Sequence, residues 1–328
     1  MKDNNALIIL GMHRSGTSLL TGLLSQVDVV MGRRLYAPQK GVNEKGFWEH
    51  EDIVDTHDEL LLHLGSQWDD LLPLDKEWWK ADLVQPFTDR LIGLVRRDFS
   101  SASVWALKDP RMCRLLPLWF PILASLQVSP TFICMNRNPF EVVASLQKRD
   151  GFSREKALVL WLSHSLSAEL YSRGQPRIFV DFDQVVQNPA KALLKIERDA
   201  GLVFPVPVND AGKKIEAFVS PDLRHHKSSE TAEQMHEGLS LMAYELHSAF
   251  NKMAAGNASS YDLIDLIDKV AADFRVYQSK WNLELVEQIR YLNEERADYR
   301  IKFFRIYKSW SWLLAKPLWL MEKLLRKY

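Results

Sequence analysis

The segment Gly11-Met-His-Arg-Ser-Gly16, followed by Thr17-Ser18, has residue types suited to holding an anion. Its two glycines, G-x-x-x-x-G, have the spacing of a phosphate-binding loop. In such a loop backbone N–H groups converge on the anion, and the positive end of the following helix favours it further. A nucleoside-triphosphate-hydrolysing loop continues with Lys and then Ser or Thr, whereas this chain continues with Thr17 and Ser18. The lysine that reaches a γ-phosphate is therefore missing. Arg14, inside the loop, supplies the positive charge as a planar fork that matches phosphate oxygens. Ser15, Thr17 and Ser18 add hydroxyls. A glycine pair alone fits an ordinary strand-to-helix turn equally well, and the R-S-G-T-S run favours phosphate.

Further residues fit a second anion site and a proton transfer. Arg137 closes an apolar run and Ser145 follows about two turns into the next helical pattern, so both lie where open α/β sheets bind ligands. Lys108 and Asp109 end another apolar run and are expected to point to opposite faces of its strand. Glu49, His50 and Glu51 are all chemically able to take a proton. In a helical segment Glu49 and Glu51 would face about 200° apart, so only one could look into a cleft.

Four short apolar runs must position these groups: Ala6–Leu10, Val104–Leu107, Thr131–Met135 and Ile178–Val180. Helical patterns separate them, which predicts an α/β domain of three layers around a central parallel sheet. Leu19, Leu20, Leu23, Leu24 and Val27 form one helical stripe directly after the loop. Asn138, Pro139 and Glu141 read as N-cap, first helical residue and capping-box acid of the helix that carries Ser145. A further helix is expected from Pro189 to Ala200, ended by Gly201. Beyond about Ser220 strands disappear, and from Ser228 the pattern is helical, broken near Ala255-Gly256-Asn257. The expected division is a catalytic domain over 1–227, a helical, coiled-coil-like extension over 228–305, and a Trp-rich basic tail over 306–328.

The 328 residues are 47% hydrophobic and 26% charged, as in a soluble globular protein. Lys and Arg number 42 and so do Asp and Glu, so no global field recruits nucleic acid. Two cysteines give no disulfide framework. His50, His57 and His63 lack the spacing of a liganding set, so no metal site is expected. No signal peptide and no run of about 20 apolar residues is evident, and a cytoplasmic location is expected.

The R-S-G-T-S loop, followed by R-x-P-x-x-x-x-x-S as Arg137 to Ser145, resembles the PAPS-dependent sulfotransferase family over roughly residues 6–225. The resemblance implies that Gly11, His13, Arg14, Ser15, Gly16, Thr17 and Ser18 bind the 5′-phosphosulfate of 3′-phosphoadenylyl sulfate. It assigns the 3′-phosphate to Arg137 and Ser145. Trp105-Ala-Leu-Lys108-Asp109-Pro110-Arg111 is similar to the K-D-P element of tyrosylprotein and bacterial sulfotransferases, whose lysine approaches the oxygen bridging phosphate and sulfate. Lys45 to Asp52 resembles the segment that supplies the catalytic base; Glu49 is the first choice, with Glu51 and His50 as alternatives. A catalytic set of Glu49, Lys108 and Arg14 follows, working without a metal on a hydroxyl acceptor.

The R-K-G element of the cytosolic enzymes is absent, and the basic cluster Arg224-His-His-Lys227 either replaces it or lines the acceptor site. In the tail, Trp310, Trp312 and Trp319 among Leu, Lys and Arg suit a helix lying in a membrane interface, or one packing on the domain or on a second copy of the chain. Its W-S-W-L-L-A-K-P-L stretch looks like a motif of bacterial polysaccharide-biosynthesis proteins. This implies a cell-surface glycan, or a lipid-linked precursor of one, as acceptor, and a peripheral place on the inner membrane face. Two rival readings remain: a P-loop kinase of a nucleoside or small molecule, and a non-catalytic scaffold of the same fold.

Overall fold

In the computed structural model, residues 4–39, 45–219, 238–257 and 261–280 are described, together with 291–292, 294–296 and 298–302. The four expected strands are present as β1 (Asn5–Leu10), β2 (Val104–Lys108), β3 (Ser129–Asn136) and β4 (Arg177–Asp181). They form one parallel sheet in the order β2-β1-β3-β4. Ile9 is level with Lys108, Leu10 with Cys134, and Asn136 with Asp181. The chain therefore leaves β1 toward one edge of the sheet and later returns to its other side. Such a reversal opens a crevice at the carboxyl ends of β1 and β3.

Alternation along β1 divides the core between two faces. Ala6, Ile8 and Leu10 enter one buried cluster while Leu7 and Ile9 enter the other. The second face is covered by α1 (Thr17–Ser25), α8 (Pro189–Ala200) and α9 (Gly212–Phe218), which bury Leu20, Leu23, Leu193 and Ile215. The first face carries α2 (Glu51–His63), α3 (Gln85–Phe99), α4 (Met112–Ser125), α5 (Pro139–Asp150) and α6 (Arg154–Ser172). A short α7 (Phe182–Gln187) follows β4 directly.

Helices α10 (Gly238–Lys252) and α11 (Tyr261–Ser279) are also packed on the first face. Leu246, Phe250, Ile267 and Phe274 belong to the same buried cluster as Ile8 and Phe132. Their apolar stripes are thus turned onto the domain. The expected break falls at Gly256, where φ is 109° inside a short π turn. Residues 224–227 and 306–328 lie outside the described residues. Among the described residues, no helix is long and apolar enough to cross a membrane.

Candidate functional site

The turn between β1 and α1 is built on backbone geometry that glycine supplies. Gly16 has φ 88°, and a Cβ there would come within 2.3 Å of the Phe182 ring. Arg14 shares the left-handed region at φ 70°, a conformation that costs a non-glycine residue about 1–2 kcal/mol. Gly16 is the N-cap of α1 and offers no side-chain cap, and no acid lies in the first turn. The N–H groups of that turn therefore face the loop without a competing carboxylate. Under the loop, the Gly11 N–H donates to Cys113 Sγ at 3.1 Å, and burial raises the pKa of that thiol.

The R-S-G-T-S loop and the Arg137–Ser145 motif meet in space. Arg14 Nε donates to Ser145 Oγ at 2.7 Å, and Arg137 Nη1 donates to the Arg14 carbonyl at 3.0 Å. Arg137 also bonds Glu141 through Nε and lies 4.2 Å from the centre of the Phe182 ring. Glu141 is thereby turned to Arg137 in place of the capping-box role that its position implied. Asn138 does cap α5, its side chain accepting from the Phe140 N–H at 2.9 Å. Burial lowers the Arg14 pKa, and the nearby charges of Arg149 and Arg137 lower it further. Convergent guanidinium groups of this kind favour a multiply charged anion.

Lys108 is 3% exposed and all three of its ammonium hydrogens have acceptors. They are Glu49 Oε1 at 2.5 Å, Ser18 Oγ at 3.0 Å and the Phe47 carbonyl at 3.1 Å. One loop residue, the end of β2 and the segment before α2 therefore converge on one cation. The segment holding Glu49 is extended, not helical. Trp48, at φ 57°, turns the chain, and Tyr36 N–H donates to the Glu49 carbonyl at 3.0 Å. The strained positive φ at both Arg14 and Trp48 fixes the groups that border the cleft.

The alternatives to Glu49 are committed elsewhere. His50 caps α2: its Nδ1 accepts from the Ile53 N–H at 3.4 Å, and Nε2 faces Asp98 Oδ2 at 2.6 Å. With Nδ1 accepting, the proton sits on Nε2, and no lone pair remains for an acceptor hydroxyl. Asp98 is itself held down to about 2, through its bond to Arg97 and then that to His50. Glu51 is half exposed and pairs with Arg34 at 3.0 Å.

Asp109 points away from Lys108, as the strand period requires. Its Oδ2 faces His57 Nδ1 at 2.7 Å, and Oδ1 accepts from Arg111 Nη1 at 2.9 Å. Arg111 also reaches Asp58 at 2.5 Å. Although burial opposes its charge, Arg111 and His57 keep Asp109 well below the usual carboxylate range. His13 packs on Trp68 with ring centres 4.4 Å apart, and its Nε2 is buried without a hydrogen-bond partner. Burial, and after it the charge of Arg111, lowers its pKa well below the ordinary histidine value. Among the described residues no group of three His, Cys, Asp and Glu side chains is placed to hold a metal ion.

Three residues near the loop escaped the sequence reading. Arg149 lies one helical turn beyond Ser145, a spacing that places both on one face of α5, and was legible in principle. His247 and Asn251, on α10, join Arg137, Asp181 and Asp183 in lining a cavity of about 320 Å³ beside the loop. Nothing local in their sequence marks them.

No protein-family model and no curated protein matches this sequence. The chain is similar in structure to sulfotransferase domains. One is the sulfotransferase domain of the Synechococcus PCC 7002 olefin synthase, at 18% identity over 82% of this chain and 95% of that one, with a TM-score of 0.39. Another is the sulfotransferase domain of the curacin biosynthetic pathway, at 10% identity over 83% and 99%, with a TM-score of 0.36. A third is the sulfotransferase STF1 of Mycobacterium tuberculosis, at 16% identity over 75% and 77%, with a TM-score of 0.39. At such scores and identities the likeness assigns nothing by itself.

Proposed function

We propose that this chain is a PAPS-dependent sulfotransferase acting on a hydroxyl acceptor. The observation that carries the reading is the union of two separated motifs in one site. Arg14 of the loop bonds Ser145 at 2.7 Å and, through its carbonyl, Arg137 at 3.0 Å. A nucleotide with one anionic group on the loop and a second phosphate near Arg137 matches that charge arrangement. The triphosphate-binding lysine is replaced by Thr17, which argues against a kinase. His13 Nε2, buried and unpartnered in the same loop, leaves a further hydrogen-bonding position for the donor.

In this reading the acceptor oxygen attacks sulfur as the bond from sulfur to the bridging phosphate oxygen breaks. Glu49 takes the proton of the acceptor hydroxyl. Lys108 and Arg14 balance the charge that develops on the departing bisphosphate. Lys108 has no spare hydrogen in the observed arrangement, so contact with the donor requires it to release Ser18, Phe47 or Glu49. Leaving Glu49 would free both the cation and the base at once.

The acceptor class rests on the C-terminal sequence: a cell-surface glycan or its lipid-linked precursor, met by a cytoplasmic enzyme at the membrane surface. Docking of residues 306–328 on a membrane or on a second copy belongs to the same proposal. The reading is tested by incubating the full chain with sulfur-labelled PAPS, without divalent metal, and a panel of glycan and small hydroxyl acceptors. Label in an acceptor is expected. Transfer of phosphate from ATP in the presence of Mg²⁺, with none from PAPS, would overturn it in favour of a kinase. Binding of neither nucleotide would favour the scaffold.

A further inference from the structure

Three side chains close a hydrogen-bonded ring at the carboxyl end of the sheet. Asn136 is the last residue of β3 and is 1% exposed, while His247 and Asn251 lie one turn apart on α10. Asn136 Nδ2 donates to Asn251 Oδ1 at 2.8 Å, and Asn251 Nδ2 donates to His247 Nε2 at 3.1 Å. His247 Nδ1 then donates to Asn136 Oδ1 at 3.1 Å and completes the circuit. The second Nδ2 hydrogen of Asn136 goes to the His247 carbonyl at 3.2 Å.

Every donor in the ring meets an acceptor for only one state of the histidine. It must be neutral and carry its proton on Nδ1. Burial lowers the His247 pKa to about 4 against the opposing pull of Asp183, so that state holds at neutral pH. A closed ring of this kind defines the orientation of each member more tightly than a single bond does. The residue bonded to Asn136 in the chain is Arg137, and His247, Asn251 and Arg137 share the walls of one cavity.

We propose that His247 is a positioning residue for the nucleotide's second phosphate: through the ring it fixes Asn136 and thereby the backbone that carries Arg137. This rests on the sulfotransferase reading, which assigns that phosphate to Arg137. It gives α10 a part in the donor site, although α10 lies some 100 residues beyond the motif it serves.

Calorimetric titration of the full chain with adenosine 3′,5′-bisphosphate and with adenosine 5′-monophosphate separates this role from a general structural one. His247→Ala removes two ring bonds and is expected to weaken the bisphosphate about tenfold while changing the monophosphate less than about twofold. Asn251→Ala spares the His247 bond to Asn136 Oδ1 and is expected to give the same selectivity at about threefold. It serves where the first variant fails to fold. Equal losses for both nucleotides, or an unchanged bisphosphate affinity in a folded variant, would overturn the inference. Failure of the unsubstituted chain to prefer the bisphosphate would overturn the donor reading itself, and the inference with it.

Discussion

Lys108 and Asp109 are neighbours in the chain, both buried and both ion-paired, yet they serve two different regions. Lys108 faces the cleft, where its partners are the Phe47 carbonyl, the Ser18 hydroxyl at the start of α1 and the carboxylate of Glu49. Asp109 faces the packed interior, where His57, Arg111 and the Arg111 N–H consume both of its oxygens. The interior knot continues to Asp58 through Arg111 and to Trp119 through His57, whose Nε2 accepts the indole N–H at 3.0 Å. An indole N–H only donates, so His57 Nε2 is the acceptor and its proton sits on Nδ1, toward Asp109. The cleft pair can trade a partner for an anionic ligand; the knot cannot trade any without stranding a buried charge. Burial and pairing alone therefore do not separate the proposed catalytic pair of Lys108 and Glu49 from a structural one. The exchangeability of the partners does.

Parallel amide substitutions should break that symmetry. Glu49→Gln removes the proposed base while its amide oxygen still accepts from Lys108. Turnover with PAPS is expected to fall by about 10²–10⁴-fold, with bisphosphate affinity nearly unchanged. Near-normal turnover would place the base elsewhere. Asp109→Asn turns an NH₂ group toward the His57 N–H and halves the charge facing Arg111. It is expected to cost about 3–5 kcal/mol in denaturant unfolding, with any effect on turnover following from lost fold. A stable Asp109→Asn protein lacking activity would instead put Asp109 in the reaction.

The smallest expected effect lies at the margin of the knot. His164 donates to the Leu160 carbonyl, and burial, followed by the Arg114 charge, lowers its pKa to about 3. The unfolded chain takes up this proton near the ordinary histidine value of 6.5 and the folded chain does not, so stability is lost as pH falls from about 6.5 toward 3 and is unaffected above. In His164→Gln the unfolding midpoint should fall less steeply between about pH 6.5 and 5 than in the parent, a difference of order 1 kcal/mol. Equal slopes would show that His164 titrates normally.

Most of the fold was legible because its signals are local. Four apolar runs marked four strands, and the alternation of Lys108 with Asp109 correctly divided cleft from core. The turn between β1 and α1 was legible for the same reason: its glycines and Arg14 lie within six residues. The choice among Glu49, His50 and Glu51 was not, because it rested on a helix that starts only at Glu51. What displaces the helix start is His50 capping it, held by Asp98 from 48 residues away. Arg137 stands in a motif, but the ring behind it was not legible, since Asn136 and His247 are 111 residues apart and neither carries a motif. Helices α10 and α11 read as an extension because their charge and length fit one, whereas their buried stripe of Leu246, Phe250, Ile267 and Phe274 is spent on the domain.

The central claim is that a 3′,5′-bisphosphorylated adenosine spans Arg14 and Arg137. Its most direct test is calorimetry of the full chain with adenosine 3′,5′-bisphosphate and, separately, with ATP and Mg²⁺. Metal-independent binding of the bisphosphate is expected, weakened by about tenfold or more in Arg137→Ala, with little binding of ATP. Tight ATP–Mg²⁺ binding with none of the bisphosphate would contradict it.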